Sequence, residues 1–223
     1  MKKLIFSLTL ILFFVYNIEA ENILSNKDLI PISIVMNGGQ TKKGNVKDNM
    51  EPDKKITLIL ENGTAETLAS EDVKEFTITT PEGGLITYEN VRYFKNIKRN
   101  DIANKPIFMM VLVREPSPLT MYYQIPWRIA YGPGAAASMY NTTNYYAKRE
   151  GEAAASLLSS VMMGQVNPNA VFKNVAPDYF SDYPELSKKI ENKTYTYADI
   201  MTVAMEYIQW KVGAENIKEN KKQ

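Results

Sequence analysis

The chain has 223 residues, of which 45% are apolar and 23% are charged, which suits one globular domain or two small ones and excludes a disordered or collagen-like chain. Its 26 Lys and Arg against 25 Asp and Glu give a formal net charge of +1, which argues against a nucleic-acid binder that depends on neutralising phosphates. There is no His and no Cys. This composition excludes Ser-His-Asp and Cys-His catalysis, disulfides and zinc held by imidazole or thiolate, and we expect neither a metal nor a cofactor.

Residues 1–20 have the organisation of a secretory signal peptide. Lys2 and Lys3 precede an apolar run over residues 4–15, and the segment closes at Ala20. About a dozen apolar residues cannot cross a bilayer that needs roughly 20, so we expect cleavage after Ala20 rather than a membrane anchor. Without this segment acidic and basic residues are equal in number. We expect an exported chain with no transmembrane helix, in the periplasm, at the outer membrane or outside the cell.

Residues 21–149 have the alternation that is typical of short antiparallel strands. Ile30, Ile32 and Ile34 occupy alternate positions, and Asn62-Gly63 predicts a hairpin with a two-residue type I′ turn. We predict an N-terminal antiparallel β unit over this range, either a sandwich or barrel-like.

The cleanest alternation runs over residues 119–127. Leu119, Tyr123 and Trp127 share one face with the other apolar residues of this stretch, so we assign that face to the core. Tyr122 lies on the opposite face, which we expect to be exposed. A further strand is predicted over residues 144–148.

From residue 150 the apolar spacing becomes helical. We predict a first helix over residues 153–163, and a second that begins at the N-cap Asn167 with Pro168 in its first turn. Thr196 to Asp199 resembles a capping box before a long amphipathic helix, which Gly213 ends. The predicted fold class is α+β, with a small helical bundle over residues 150–213, either separate or packed on the sheet, and a charged tail over residues 214–223.

Three acidic residues lie close together in this helical region. Asp178, Asp182 and Glu185 could provide the acid and base of a glycosidase, because that chemistry runs on two facing carboxylates. The local pattern favours a structural role, in which Asp182 caps a short helix and Glu185 lies near its positive end.

Aromatic residues are dense between positions 122 and 146. Such rings stack on sugars or anchor protein partners when they are exposed, and otherwise fill the core. We expect Tyr123 to be in the core, and Tyr122 and one of Tyr145 and Tyr146 to be exposed. The candidate binding residues are Tyr122, Trp127, Tyr131, Tyr145 and Tyr146.

Three C-terminal segments, over residues 171–174, 179–186 and 189–193, carry a family resemblance. They resemble a group of uncharacterised secreted proteins of Bacteroidota whose helices bear a Phe-x-Asp-Cys-Pro-x-Leu motif, matched here from Phe180 to Leu186. Tyr183 stands where that motif has Cys, so no thiol role carries over. The resemblance implies a signal peptide, a β-rich unit followed by helices, and a bacterial envelope setting, but no activity.

The sequence therefore favours an exported, non-catalytic binding or assembly module of the bacterial envelope, with an envelope protein or a glycan as partner. Two alternatives stay open. One is a carboxylate-dependent glycan hydrolase, and the other is a carrier of a small hydrophobic ligand, which needs an enclosed apolar cavity.

Overall fold

The computed structural model describes residues 29–47, 50–114, 117–124, 142–162, 167 and 169–220. The predicted signal peptide lies outside these residues. Contacts along the chain divide it into two compact units, unit 1 up to Leu85 and unit 2 from Ile86 onward. The boundary that we predicted near residue 150 falls inside unit 2.

Unit 1 is an antiparallel sheet with the strand order β5-β1-β2-β3-β4. Its strands are β1 (Leu29–Met36), β2 (Thr41–Lys47), β3 (Lys55–Ile59), β4 (Ala65–Ala69) and β5 (Val73–Thr79). The predicted alternation is confirmed, because Ile30, Ile32 and Ile34 are all buried. Across the β1–β5 pair, Ile32 lies opposite the buried Ile78 and Ile34 opposite the buried Phe76.

Three turns of unit 1 have the same three-residue loop. In each, a backbone N–H at the third loop residue bonds back to the carbonyl that precedes the loop, and that third residue is a glycine with positive φ: Gly39, Gly63 and Gly83. This pattern is a type I turn followed by a glycine bulge. The hairpin predicted at Asn62-Gly63 is confirmed, but the predicted type I′ turn is wrong, because only Gly63 adopts positive φ. Asn62 instead accepts hydrogen bonds from the backbone and side chain of Thr64.

Unit 2 begins with a five-stranded antiparallel meander in the order β10-β9-β8-β7-β6. Its strands are β6 (Leu85–Val91), β7 (Ile107–Val113), β8 (Leu119–Gln124), β9 (Thr142–Arg149) and β10 (Ser156–Met162), with only Leu85 of β6 assigned to unit 1. The strands predicted from Leu119 onward and over 144–148 are therefore confirmed. Both faces of the meander are covered within the described residues, since Met121 and Ala147 are fully buried on one face and Met109 on the other.

Three helices pack on one face of this meander. They are α1 (Ala170–Tyr179), α2 (Pro184–Glu191) and α3 (Ile200–Asn220), the last preceded by a short 3-10 turn over Tyr197–Asp199. Fully buried Leu119, Met121 and Leu158 of the sheet form one core with the inner faces of the helices. That helical contribution comprises Phe172, Ala176, Tyr179, Phe180, Leu186, Ile190, Ile200, Val203, Ala204 and Tyr207.

The helix predicted over residues 153–163 is wrong, because β10 occupies most of this segment. Its apolar residues have helical spacing, yet a bulge between Leu157 and Ser159 changes the pairing with β9. Leu157 packs with Tyr146 on one face, and Leu158 is buried under the helices on the other. A bulge inserts an extra residue and so breaks the alternation that identifies a strand.

Three predicted helix boundaries also need correction. The N-cap of α1 is Asn169 rather than Asn167, while Pro168 lies outside the described residues. The N-cap of α2 is Tyr183, because the Asp182 carboxylate is bonded to Arg149 and other groups instead. Gly213 does not end α3, which continues to Asn220, since a glycine permits a left-handed turn without requiring one.

The fold class is thus α+β, as predicted, with antiparallel strands followed mainly by C-terminal helices. A closed barrel or a sandwich is not confirmed, because in neither unit does the described strand order return to its starting strand. None of the helices within the described ranges is both long and apolar enough to cross a membrane.

Candidate functional site

A polar pocket of about 310 Å³ lies beside the start of α1 and the end of α2. Its polar lining includes Asn169, Lys173, Asn174, Lys193, Tyr195 and Thr196, and its apolar lining is Ala170, Phe172 and Ile190. We call it the asparagine–lysine pocket. Its volume lies at the lower end of the range for small-molecule sites, roughly 300 to 1,000 Å³.

Hydrogen bonds fix one wall of this pocket. Asn169 Oδ1 accepts a hydrogen bond of 2.8 Å from the backbone N–H of Tyr197. The predicted capping box is confirmed, since the backbone N–H and the hydroxyl of Thr196 both donate to Asp199 Oδ2 at 2.9 Å. These bonds lower the pKa of Asp199 below its ordinary value. The wall is therefore held in place before any ligand arrives.

Tyr195 is held by a second network that reaches α3. Its hydroxyl donates to Glu206 at 2.7 Å, and Lys189 Nζ donates to the other carboxylate oxygen at 2.8 Å. Burial alone would raise the pKa of Glu206, but the hydrogen bonds from Lys189 and Tyr195 outweigh it, so the pKa is lowered. Glu206 thus stays ionised and its charge is neutralised by Lys189.

Three pocket side chains have no such partners. Lys173, Asn174 and Lys193 are exposed, and none forms a side-chain hydrogen bond or an ion pair with another residue that the structure describes. Lys193 follows α2 in the left-handed region with a φ of 66°, where glycine or asparagine is usual. The pocket therefore brings together donor and acceptor groups that are available to a ligand.

A second polar assembly lies in unit 2, and we call it the Arg149 cluster: Arg149, Glu152, Tyr179, Asp182, Tyr207 and Lys211. The Arg149 guanidinium lies over the rings of Tyr179 and Tyr207, at 4.2 and 5.2 Å from their centroids. It forms ion pairs with Glu152 and Asp182, and it donates to the backbone carbonyl of Tyr179. This network links β9 to α1, to the turn before α2 and, through Tyr207, to α3.

The carboxylates of the Arg149 cluster are fully engaged. Glu152 accepts hydrogen bonds from the Tyr179 hydroxyl at 2.9 Å and from the Arg149 backbone N–H at 2.8 Å. Asp182 accepts from the Tyr207 hydroxyl at 2.8 Å and pairs with Lys211 at 3.3 Å. Burial and the bond to Asp182 raise the pKa of Tyr207 to about 12, so its hydroxyl remains a donor.

Such an arrangement suits a structural role better than hydrolysis. A glycosidase needs one carboxyl that is free to protonate the glycosidic oxygen, whereas Glu152 and Asp182 are both bonded to the same guanidinium. The other two acids considered from the sequence lie apart from this network. Asp178 is exposed and paired with Arg99, and Glu185 lies in the first turn of α2, as predicted.

The expectation that Tyr122 is exposed is wrong. Its side chain is 2% exposed and packs with Tyr146, itself 6% exposed, on the sheet face opposite the helices. Strand alternation correctly places Tyr122 on the other face from Met121, but that face is covered as well. Burial raises the pKa of Tyr122, and it raises that of Tyr146 to about 12.

Tyr145 is the half-buried member of the predicted aromatic set. Its ring lies 4.9 Å from that of Tyr123, on the sheet face that carries the helices. Tyr123, which we assigned to the core, is also only half-buried. Burial and the neighbouring hydroxyls of Tyr123 and Tyr197 raise the pKa of Tyr145. Trp127 and Tyr131 lie outside the described residues.

The pocket residues were not singled out as a site by sequence reasoning. Lys173 and Lys193 are separated by a whole helix, so no local pattern connects them. Two of the segments that carry the family resemblance, residues 171–174 and 189–193, nevertheless both line the pocket. Among the described residues, no group of three or more Asp or Glu side chains is arranged to hold a metal ion.

Unit 1 has a depression of its own, of about 370 Å³. Met50 and Ile59 contribute apolar surface there, and Lys47, Lys54 and Lys55 surround it. Lys54 is paired with Glu51, which also lines the depression. Since a carboxylate is already present among its cations, this depression is less suited to an anionic ligand than the asparagine–lysine pocket.

Comparison with protein-family models, with curated proteins and with solved structures finds no match for this chain.

Proposed function

We propose that this protein is an exported, non-catalytic binding module of the bacterial envelope, and that it holds a saccharide in the asparagine–lysine pocket. One observation carries the proposal: Lys173, Asn174 and Lys193 converge on one concavity without partners among the described residues. In the Arg149 cluster, by contrast, the charged side chains are paired with one another.

A saccharide fits the chemistry of the lining. Sugar hydroxyls both donate and accept hydrogen bonds. The amide of Asn174 offers both functions, Asn169 still has its NH2 group to donate, and the Thr196 oxygen, whose hydrogen is bonded to Asp199, can still accept. The half-buried ring of Tyr195 and the apolar floor add surface for the C–H faces of a sugar ring.

The binding test compares two matched asparagine variants. Asn174→Ala should weaken saccharide binding at least about fivefold, because one charge-neutral hydrogen-bonding group is worth about 1 kcal/mol. Asn104→Ala, at an exposed position away from the pocket lining, should leave the affinity unchanged. The measurement is isothermal titration calorimetry after a glycan-array screen identifies a binder.

Two results would contradict this function. The first is an array without any saccharide that binds, or binding that Asn174→Ala does not affect. The second is release of new reducing ends from a bound glycan by the purified protein, which would make it a hydrolase.

Export is tested separately. Expressed in a Gram-negative host, the full chain should be recovered outside the cytoplasm with Glu21 as its first residue, as the N-terminal segment predicts. Edman sequencing or intact mass decides this, and a cytoplasmic protein that retains Met1 would contradict the envelope assignment.

A further inference from the structure

Resting on the proposed function and going beyond it, we infer that the ligand is an acidic saccharide whose anionic group lies between Lys173 and Lys193. The pocket lining contains these two lysines and no Asp or Glu. Two ammonium groups beside one concavity repel each other, and an anion placed between them is attracted by both.

Neither lysine is neutralised by the described protein. No ion pair joins either ammonium to a described carboxylate, although other lysines of the same residues are paired, such as Lys189 with Glu206 and Lys211 with Asp182. Most exposed lysines of a protein surface have no ion-pair partner either, so the absence of partners does not by itself indicate a binding site. What distinguishes this pair is that Lys173 on α1 and Lys193, just after the end of α2, both line one pocket.

Two acids bonded to residues of the pocket wall have other partners. Glu206 is bonded to Lys189 and Tyr195, and Asp199 accepts both hydrogen bonds of the capping box at Thr196. Among the described ion pairs, neither carboxylate joins Lys173 or Lys193, and the charged side chains that line the pocket itself contribute a positive potential.

The start of α1 adds to this potential. The first turn of this helix contains no acidic residue, and Asn169 makes no side-chain capping hydrogen bond. The positive end of the helix dipole is thus uncompensated where the helix borders the pocket. A helix terminus does not by itself make a binding site, but the charge at this end has the same sign as that of the two lysines.

A saccharide is favoured over an acidic peptide because the lining does not consist of cations alone. Asn174 donates and accepts, Asn169 has a free NH2 donor and Thr196 a free acceptor lone pair, which matches the several hydroxyl groups of one sugar ring. A peptide offers only one backbone N–H and one C=O per residue. The negative group itself has two sources, the carboxylate of a uronic acid or a sulfate ester, and the experiment distinguishes them.

The test titrates the purified protein with galacturonate, glucuronate and mannuronate oligosaccharides, each beside the same oligosaccharide with its carboxylates reduced to alcohols. A heparin-type sulfated tetrasaccharide and a hexaglutamate peptide complete the set. We expect a uronate or the sulfated ligand to bind at least tenfold more tightly than the reduced forms. Its affinity should fall as salt rises from 50 to 300 mM, because salt screens the attraction, with a Debye length of ~10 Å at 0.1 M.

The variants are chosen to preserve the fold. Lys173→Gln retains a helix-forming side chain, and Lys193→Asn retains a residue that tolerates positive φ. Each should weaken the acidic ligand at least fivefold and hardly affect a reduced one. Lys188→Gln, on α2 but outside the pocket lining, is the matched control and should bind as the natural protein does.

The outcomes separate this inference from the proposed function. Equal binding of acidic and reduced saccharides, indifference to both lysine variants, or hexaglutamate binding as tightly as any saccharide would overturn the inference. Binding of reduced forms alone would overturn it and leave the saccharide function standing. If no saccharide of either kind binds, the proposed function fails as well.

Discussion

The Arg149 cluster and the asparagine–lysine pocket are both made of polar side chains in unit 2, but they differ in what those side chains bind. In the cluster, Arg149 is enclosed by Tyr179 and Tyr207 and paired with Glu152 and Asp182. In the pocket, the charged ends of the lining have no described partner. Since a half-buried charge needs partners within the protein and an exposed one does not, the cluster stabilises the fold while the pocket is available for binding.

The strongest test of this contrast is Arg149→Met, which removes the guanidinium and leaves the half-buried Glu152 and the exposed Asp182 with fewer partners. We expect the free energy of unfolding to fall by about 2 kcal/mol, because the change removes two partly exposed ion pairs together with the contacts of the guanidinium with two aromatic rings. Urea denaturation followed by circular dichroism measures it.

Arg92→Met is the matched control, because Arg92 is exposed and lies outside the cluster. Its effect should stay within about 0.5 kcal/mol. A loss below about 1 kcal/mol for Arg149→Met would show that the cluster contributes little and would remove the contrast.

A smaller effect is expected for Glu206→Gln, which weakens the network behind the pocket wall. At pH 7 the variant should lose about 1 kcal/mol, because the carboxylate pairs with a lysine that is only partly buried. The pKa of Glu206 lies below its ordinary value of 4.5, so this carboxylate stabilises the fold fully above that value. The difference between natural protein and variant should vanish as the pH falls through the lowered pKa. Urea midpoints between pH 3 and pH 7 check this, and a difference that grows on acidification would contradict it.

Lys193→Gly should have an effect of opposite sign. A lysine at a φ of 66° is strained where glycine is not, so the variant should gain about 0.5 to 1 kcal/mol of stability. The same variant should bind the acidic saccharide less tightly. A gain in melting temperature together with a loss of affinity would show that binding, and not the fold, favours lysine here; unchanged affinity would contradict this.

The smallest effect on stability is expected for Lys173→Gln. Because its ammonium has no described partner, the unfolding free energy should change by less than about 0.5 kcal/mol. Thermal unfolding measures it. A larger loss would mean that Lys173 serves the fold, and the pocket would then resemble the Arg149 cluster.

Much of the sheet could be predicted from the sequence, because alternation and glycine turns are local signals. They identify β1, β8, β9 and the turn at Asn62-Gly63. They miss β10, where the bulge near Leu158 removes the alternation. Alternation also cannot tell whether a face is covered, which is why Tyr122 was expected in solvent and is buried.

The candidate site could not be predicted in the same way. Lys173 and Lys193 approach one pocket only because α1 and α2 pack side by side on the sheet, and that packing depends on residues elsewhere, such as Phe172 and Ile190. What the sequence does contain is the local support: the capping box at Thr196 and Asp199 fixes the pocket wall and was recognisable in advance.

The strand order carries a consequence for how each unit forms. In unit 2 every strand pairs with its neighbour in sequence, so each strand can pair with the preceding one as soon as it is available. In unit 1 the first strand lies between β2 and β5, and Ile32 meets Ile78. That sheet stays incomplete until β5 has formed. Until then β1 keeps an unpaired edge with apolar side chains, and this edge is where we expect a chaperone or another unfolded chain to attach first.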